Sequence, residues 1–268
     1  MHYGDVPLRG SDVITRFLLT GAVTFTLALL VACSPSPVTL GSMSYPASPL
    51  LHSHPPVATV PSGACPGSLR TARSGPDVYG AWWEVRDDSS SILMVGRSTD
   101  SGKTWNVAQP ADTVDRSRRG CTRPAPAIAA DSATNYVDIA YFMEPPEGPG
   151  VFFTHSMDAR TLGVGDGIFH APVAVMYGDQ PSSVSVAADG DKLVVAYEEP
   201  NGERSMVGLA LSRSMGHIFE DRLIVSQQDL PARDPFVALR GDSVVVQWSE
   251  RPDSIKVGGR IAVRSAMW

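Results

Sequence analysis

Short apolar runs recur along this chain, and four of them end alike. They are D-V-Y-G-A-W-W-E (Asp77 to Glu84), Y-V-D-I-A-Y-F-M-E (Tyr136 to Glu144), V-A-A-D-G-D-K-L-V-V-A-Y-E-E (Val186 to Glu199) and V-A-L-R-G-D-S-V-V-V-Q-W-S-E (Val237 to Glu250). Each closes on an aromatic residue (Trp82, Tyr141, Tyr197, Trp248) with a glutamate two or three places later, and the last two align without a gap. Runs of this length, rich in Val, Tyr and Trp and bounded by Gly, Asp and Pro, predict β-strands. About fifteen residues after each aromatic comes a serine at the end of another apolar run: Ser98, Ser156, Ser212 and Ser265. Breaker-rich loops separate the runs at Asp87 to Ser91, Pro145 to Gly150, Pro200 to Ser205 and Pro252 to Gly259.

Each unit therefore reads as a short strand, a turn, a stronger strand, a polar loop, a third strand, a tight turn and an outer strand. That order predicts an all-β chain, a small β-propeller of about four four-stranded blades, because self-similarity at this period marks repeat architectures. A β-sandwich is the alternative for short strands with regular turns. The fourth unit lacks an outer strand, so an N-terminal strand is expected to complete it, from Pro37 to Leu40 or Val57 to Val60. An open array and a truncated larger ring remain alternatives to the closed ring.

Ser98 to Trp105 reads S-T-D-S-G-K-T-W and fills every fixed position of S-x-D-x-G-x-x-W. Gly102 can take φ > 0, Ser98 and Asp100 can bond turn backbone, and Trp105 can plug the hairpin against its blade. This segment resembles the Asp-box, or bacterial neuraminidase repeat, of sialidases and of many non-enzymatic propellers. Ser212 to Phe219 (S-R-S-M-G-H-I-F) is a decayed copy, and Ser156 with Asp158 opens another before Phe169. In that family the box is structural, so it implies fold more than activity.

Arg9 and Arg16 precede an apolar run from Phe17 to Ala32, shorter than the roughly 20 residues that span a bilayer. The run predicts an export signal over residues 1–32. It ends L-V-A-C, which resembles the bacterial lipobox and implies acylation of Cys33, hence attachment to a membrane from the extracytoplasmic side, the outer membrane in a Gram-negative cell. A plain secretory signal with a chance cysteine is the alternative. Residues 33–62 are Pro- and Ser-rich without apolar periodicity and predict a mobile tether, leaving 63–268 as the propeller. His52 and His54, inside that tether, are expected to be solvated.

The formal charge is -6, and no basic stripe interrupts it, which argues against nucleic-acid binding. Besides Cys33 the chain has only Cys65 and Cys121, each just before the inner strand of a unit, so a disulfide between blades one and two is expected in an oxidising envelope, with two thiols as the alternative. There is no H-E-x-x-H, phosphate-binding loop, dinucleotide fingerprint or G-x-S-x-G elbow, so no cofactor and no metal are expected. His155, His170 and His217 fall near the box turns and read as structural or exposed.

Propeller loops that enter inner strands and leave second strands share one face. It would carry Arg123, Arg233, Glu199 and Glu250, with Glu84 and Glu144 at equivalent places, as a site for an anionic ligand. Tyr197 beside Glu198 resembles the nucleophile pair of sialidases and is the catalytic candidate. The chain lacks the sialidase Arg-Ile-Pro motif, for which Arg123-Pro124 and Arg70 are poor substitutes. The expectation is thus a lipid-anchored envelope protein whose propeller binds a protein or a glycan without turnover. A sialidase-like exo-glycoside hydrolase and a scaffold of an envelope assembly are the alternatives.

Overall fold

Each of the four sequence units folds into a four-stranded antiparallel sheet. They are seen in a computed structural model that describes residues 37–51, 55–162, 169–251 and 259–268. The export signal, Cys33, His52 and His54 lie outside the described residues. Chain order begins with β1 (Thr39–Leu40). Blade 1 holds β2 (Arg70–Ser74), β3 (Asp77–Val85), β4 (Ser91–Ser98) and β5 (Gln109–Pro110). Blade 2 holds β6 (Ala127–Asp131), β7 (Tyr136–Met143), β8 (Gly150–Ser156) and β9 (Val173–Tyr177). Blade 3 holds β10 (Val184–Asp189), β11 (Lys192–Glu198), β12 (Val207–Ser212) and β13 (Asp221–Ile224). Blade 4 holds β14 (Ala232–Arg240), β15 (Ser243–Glu250) and β16 (Arg260–Met267). No α-helix occurs among the described residues.

The period of two along each strand sends alternate side chains to opposite faces of a blade. In β3, Tyr79, Ala81 and Trp83 join Val137, Ile139 and Tyr141 of β7 in a core between blades 1 and 2. Ala140, Phe153 and Val175 meet Val195, Tyr197 and Ala210 between blades 2 and 3. Val194, Leu209 and Leu211 meet Val237, Val246 and Trp248 between blades 3 and 4. The recurring aromatic-then-glutamate ending has a mechanical reason in two blades: Trp82 Nε1 donates to Glu84 Oε1 at 2.8 Å, and Trp248 Nε1 to Glu250 Oε1 at 2.9 Å. A buried indole N–H thereby finds its acceptor two residues along its own strand.

Blade 4 is completed as expected by a strand from the N-terminal segment. Thr39 pairs with Met267 and Leu40 with Ala266, so β1 is the fourth strand of that sheet. The tether boundary at residue 62 is corrected. Val38, Leu40 and Met43 pack on the core between blades 3 and 4. Ser44 bridges Val263, and the N–H groups of Leu50 and Leu51 both donate to Gln247 Oε1 at 2.8 and 3.0 Å. Farther along, Thr71 Oγ1 donates to Pro56 O and Trp105 Nε1 to Thr59 O, both in blade 1, and Ala64 bridges Glu84. Residues 41–51 therefore lie on blade 4 and 55–64 on blade 1. Composition hid this, because the segment is held by backbone hydrogen bonds and a few apolar side chains rather than by a periodic face.

The Ser98 to Trp105 turn is tight because Ser98 Oγ accepts the N–H of Gly102 at 2.8 Å and donates to Asp100 Oδ1 at 2.7 Å. Asp100 also accepts from Thr104 Oγ1 at 2.6 Å and from the backbone of Lys103 and Thr104, and these donors, led by the Thr104 hydroxyl, hold its carboxyl well below the usual range. Trp105 then lies across the blade over Gly80, where a Cβ would come within 2.5 Å of the indole. The decayed copy repeats the geometry, with Gly216 N–H on Ser212 Oγ at 2.9 Å and Ile218 N–H on Ser214 Oγ at 3.1 Å.

Candidate functional site

The four inner strands surround an axial cavity of about 680 Å³ at their entry ends. Leu69 to Thr71 of blade 1, Ala125 to Ile128 of blade 2, Ser183 to Val186 of blade 3 and Asp234 to Phe236 of blade 4 line it, and Pro55 to Ala58 complete the wall. Among the described lining residues the charged groups are Arg70 and Asp234, and the aromatic one is Phe236. The Arg70 guanidinium donates to the carbonyls of Gly67 and Leu69, and burial lowers its pKa.

Asp234 reaches the wall through a bulge. The register of β14 against β15 shifts between Arg233 and Phe236, and Asp234 takes φ 54° just before Pro235. Proline is tolerated there because a bulge leaves its residue out of the ladder. Glu198 Oε1 accepts the Asp234 N–H at 2.9 Å and so anchors the bulge from blade 3. Burial raises the Glu198 carboxyl above its ordinary range.

The remaining sequence candidates are placed elsewhere. Arg123 is not a ligand-face arginine: its guanidinium is buried, stacks 3.7 Å from the Trp83 ring centroid and lies 2.6 Å from Asp115 Oδ2. It also donates to Phe142 O, so it cements blades 1 and 2. Arg233 is exposed on β14, and Ser249 Oγ donates to its carbonyl at 3.1 Å. Neither arginine lines the cavity. Tyr197 is buried in the core between blades 2 and 3, against Gly208, and burial raises its phenol. It therefore does not share a pocket with Glu198 as a nucleophile pair would. Glu250 is buried between Trp248 Nε1 and Arg260 Nε. Glu144 binds Arg119, and Glu199 accepts from Asn201. Charge in the sequence marked these residues, but their partners are local and structural.

Cys65 and Cys121 form the expected disulfide, with Cα atoms 5.2 Å apart, which ties the loop before β2 to the turn before β6.

Sequence reasoning missed one constellation at the opposite rim. His155 at the end of β8, His170 before β9 and His217 in the turn after β12 bring their ring nitrogens within 4.8 Å of one another. His155 is buried, His170 half-buried and His217 exposed. Burial, then the neighbouring His170 and His217, push the His155 imidazole down to about 4, so it is neutral at neutral pH. Burial likewise raises Asp138, beside it, to about 8. Their place near the box turns, as structural or exposed residues, is as the sequence suggested; what the structure adds is that they lie together. The signal available was their position: His155 and His217 flank the tight turns of successive blades, which the ring stacks side by side.

No protein-family model matches the chain, and no curated protein matches it in sequence. Solved structures with a similar arrangement include a GH43_12 retrieved from capybara gut metagenome, at 14% identity and TM-score 0.47 over 70% of this chain and 37% of that one. A protein of unknown function from Dyadobacter fermentans is similar at 13% identity and TM-score 0.48, over 71% of this chain and 50% of that one. A subtype N11 neuraminidase-like protein of A/flat-faced bat/Peru/033/2010 (H18N11) gives 8% identity and TM-score 0.41, over 82% and 58%. The chain spans little more than a third of the first of these and about half of the others.

Proposed function

We propose that this protein is a lipid-anchored, extracytoplasmic binding module that takes a low-charge segment of a glycan or a protein in its axial cavity, without turnover. The observation that carries this reading is the cavity itself, open where all four inner strands converge and walled mostly by apolar side chains with two charged groups. A concave, mainly apolar site with few polar groups is the usual form of a binding pocket. Phe236 offers a ring for a sugar or proline face, while Arg70 and Asp234 offer polar anchors. The L-V-A-C sequence at Cys33 supports the anchor, and the Cys65–Cys121 bond fits an oxidising compartment. The resemblance of Ser98 to Trp105 to an Asp-box supports a propeller used as a platform.

One observation favours hydrolysis as a second reading: Glu198, with its raised carboxyl, holds the backbone of Asp234 at the cavity wall. A carboxyl with a raised pKa near a second carboxylate is the kind of pairing that glycosidases use. The two readings separate in one experiment. The full chain is presented to a glycan and peptide array and incubated with a panel of fluorogenic glycosides that includes a sialoside. Binding without turnover, weakened by Arg70→Ala and Phe236→Ala, supports the module. Turnover abolished by Glu198→Gln and Asp234→Asn would replace it with the hydrolase. Acyl labelling that persists in Cys33→Ala would remove the anchor.

A further inference from the structure

The His155, His170 and His217 imidazoles converge from two blades, and we infer that they form a binding site for a borderline divalent transition-metal ion such as Zn²⁺. His155 Nε2 and His170 Nδ1 are 3.2 Å apart. Two nitrogens on one tetrahedral Zn²⁺, each at 2.0 to 2.1 Å, are separated by about 3.3 Å, so this pair already has the length of a coordination edge. The His217 ring centroid is 4.9 Å from that of His155 and 5.3 Å from that of His170, which closes the triangle. A space of about 10 Å³, on the scale of a single small occupant, is lined by the three histidines together with Phe153, Val173 and Gly216.

The other ring nitrogens of His217 and His155 face oxygen atoms. His217 Nδ1 lies 2.7 Å from the carbonyl of Ser214 and must donate to it, which leaves Nε2 as the lone-pair nitrogen. His155 Nδ1 is buried without a hydrogen bond, and Asp138 Oδ1 faces it at 3.8 Å. Ligating imidazoles are backed by an oxygen acceptor, as the Ser214 carbonyl backs His217, and the Asp138 carboxyl stands in that place behind His155. An all-imidazole donor set suits Zn²⁺, Cu²⁺ or Ni²⁺ and not Ca²⁺ or Mg²⁺, which take oxygen ligands.

The backbone accounts for the convergence. His155 and His170 are brought together by the antiparallel bridge between Ser156 and Phe169 and by the hydrogen bond of His170 N–H to His155 O. Gly216 takes φ 82°, and a Cβ there would lie 2.0 Å from the Phe153 ring, so this turn lets His217 of blade 3 approach blade 2. The ion thus joins blade 2 to blade 3 at the rim. Three protein nitrogens leave a fourth position on a tetrahedral ion for water or for a donor from a partner.

Titration of the chelator-stripped full chain with Zn²⁺, read by calorimetry, and with Co²⁺, read by its visible absorption, tests the site. The expected result is one saturable ion per chain, intense tetrahedral Co²⁺ bands, a higher Tm with Zn²⁺ and no such shift with Ca²⁺. His170→Ala and His217→Ala, at the two more accessible positions, each weaken binding by about tenfold or more, and Asp138→Asn by about tenfold. Absence of saturable binding, or affinity unchanged in both histidine variants, overturns the assignment; the latter would place the metal on histidines elsewhere in the chain.

Discussion

Asp189 Oδ2 accepts the backbone N–H of Gly241 at 2.6 Å, a hydrogen bond from the end of an inner strand in blade 3 to the next turn in blade 4. Asp131 makes the same bond to Gly190 across blades 2 and 3, at 3.1 Å. Both glycines have positive φ, Gly190 at 66° and Gly241 at 55°, in the tight turns that present these N–H groups. A carboxylate on a backbone donor is worth more than a neutral pair, but these sites are solvated, so the gain is about 1 kcal/mol each. Asp189→Ala should lower the urea midpoint accordingly, while Asp189→Asn, which keeps an acceptor oxygen, should restore most of it.

Arg123 gives a larger effect. Its removal leaves Asp115, buried beside Asp112 and Tyr141, without its cation. Breaking a buried pair from one side costs about 3–5 kcal/mol. Arg123→Ala should therefore show a strong loss in denaturant unfolding, and Arg123→Lys should recover little of it because lysine cannot both stack on Trp83 and fork to its acceptors. Arg233→Ala, at an exposed strand position, should cost far less. Equal effects of the two alanine variants would contradict the separation of roles.

The Cys65–Cys121 bond closes a loop with a sequence separation of 56. The chain-entropy model assigns about 4 kcal/mol to such a closure, which for a domain of this size corresponds to roughly 10 °C in Tm. Thermal unfolding with and without a reductant measures it, with Cys65→Ser/Cys121→Ser as the matched control. Mass under non-reducing conditions should be two hydrogens lower than after reduction.

Repetition made the blades legible: Trp82, Tyr141, Tyr197 and Trp248 stand in register because each closes the second strand of a sheet. The strand that completes blade 4 could be anticipated from the missing outer strand. What the repeats do not encode is which face a charge meets. Arg123 looked like a ligand-face residue, but Asp115, eight positions earlier, and Trp83 draw it inward. The histidines failed for a related reason, since residues 155, 170 and 217 become neighbours only when blade 2 stacks on blade 3. The axial cavity is lined by strand-entry residues of mixed size and mostly apolar character, a pattern that carries no chemical signature in the chain.

The N-terminal segment offers the sharpest contrast between composition and structure. A free tether would contribute nothing to the stability of the propeller. Here β1 supplies the last strand of blade 4, Val38, Leu40 and Met43 cover its core, and Thr59 O receives the Trp105 indole N–H. Three partly buried apolar side chains together are worth on the order of 3 kcal/mol, before the lost strand pairing is counted. A chain beginning at residue 63 should therefore unfold at lower urea than one beginning at residue 34, and its exposed β16 edge should promote association. Adding residues 34–62 back as a separate peptide should bind the truncated chain and raise its midpoint. Identical unfolding curves for the two chains would mean that these residues are a tether after all.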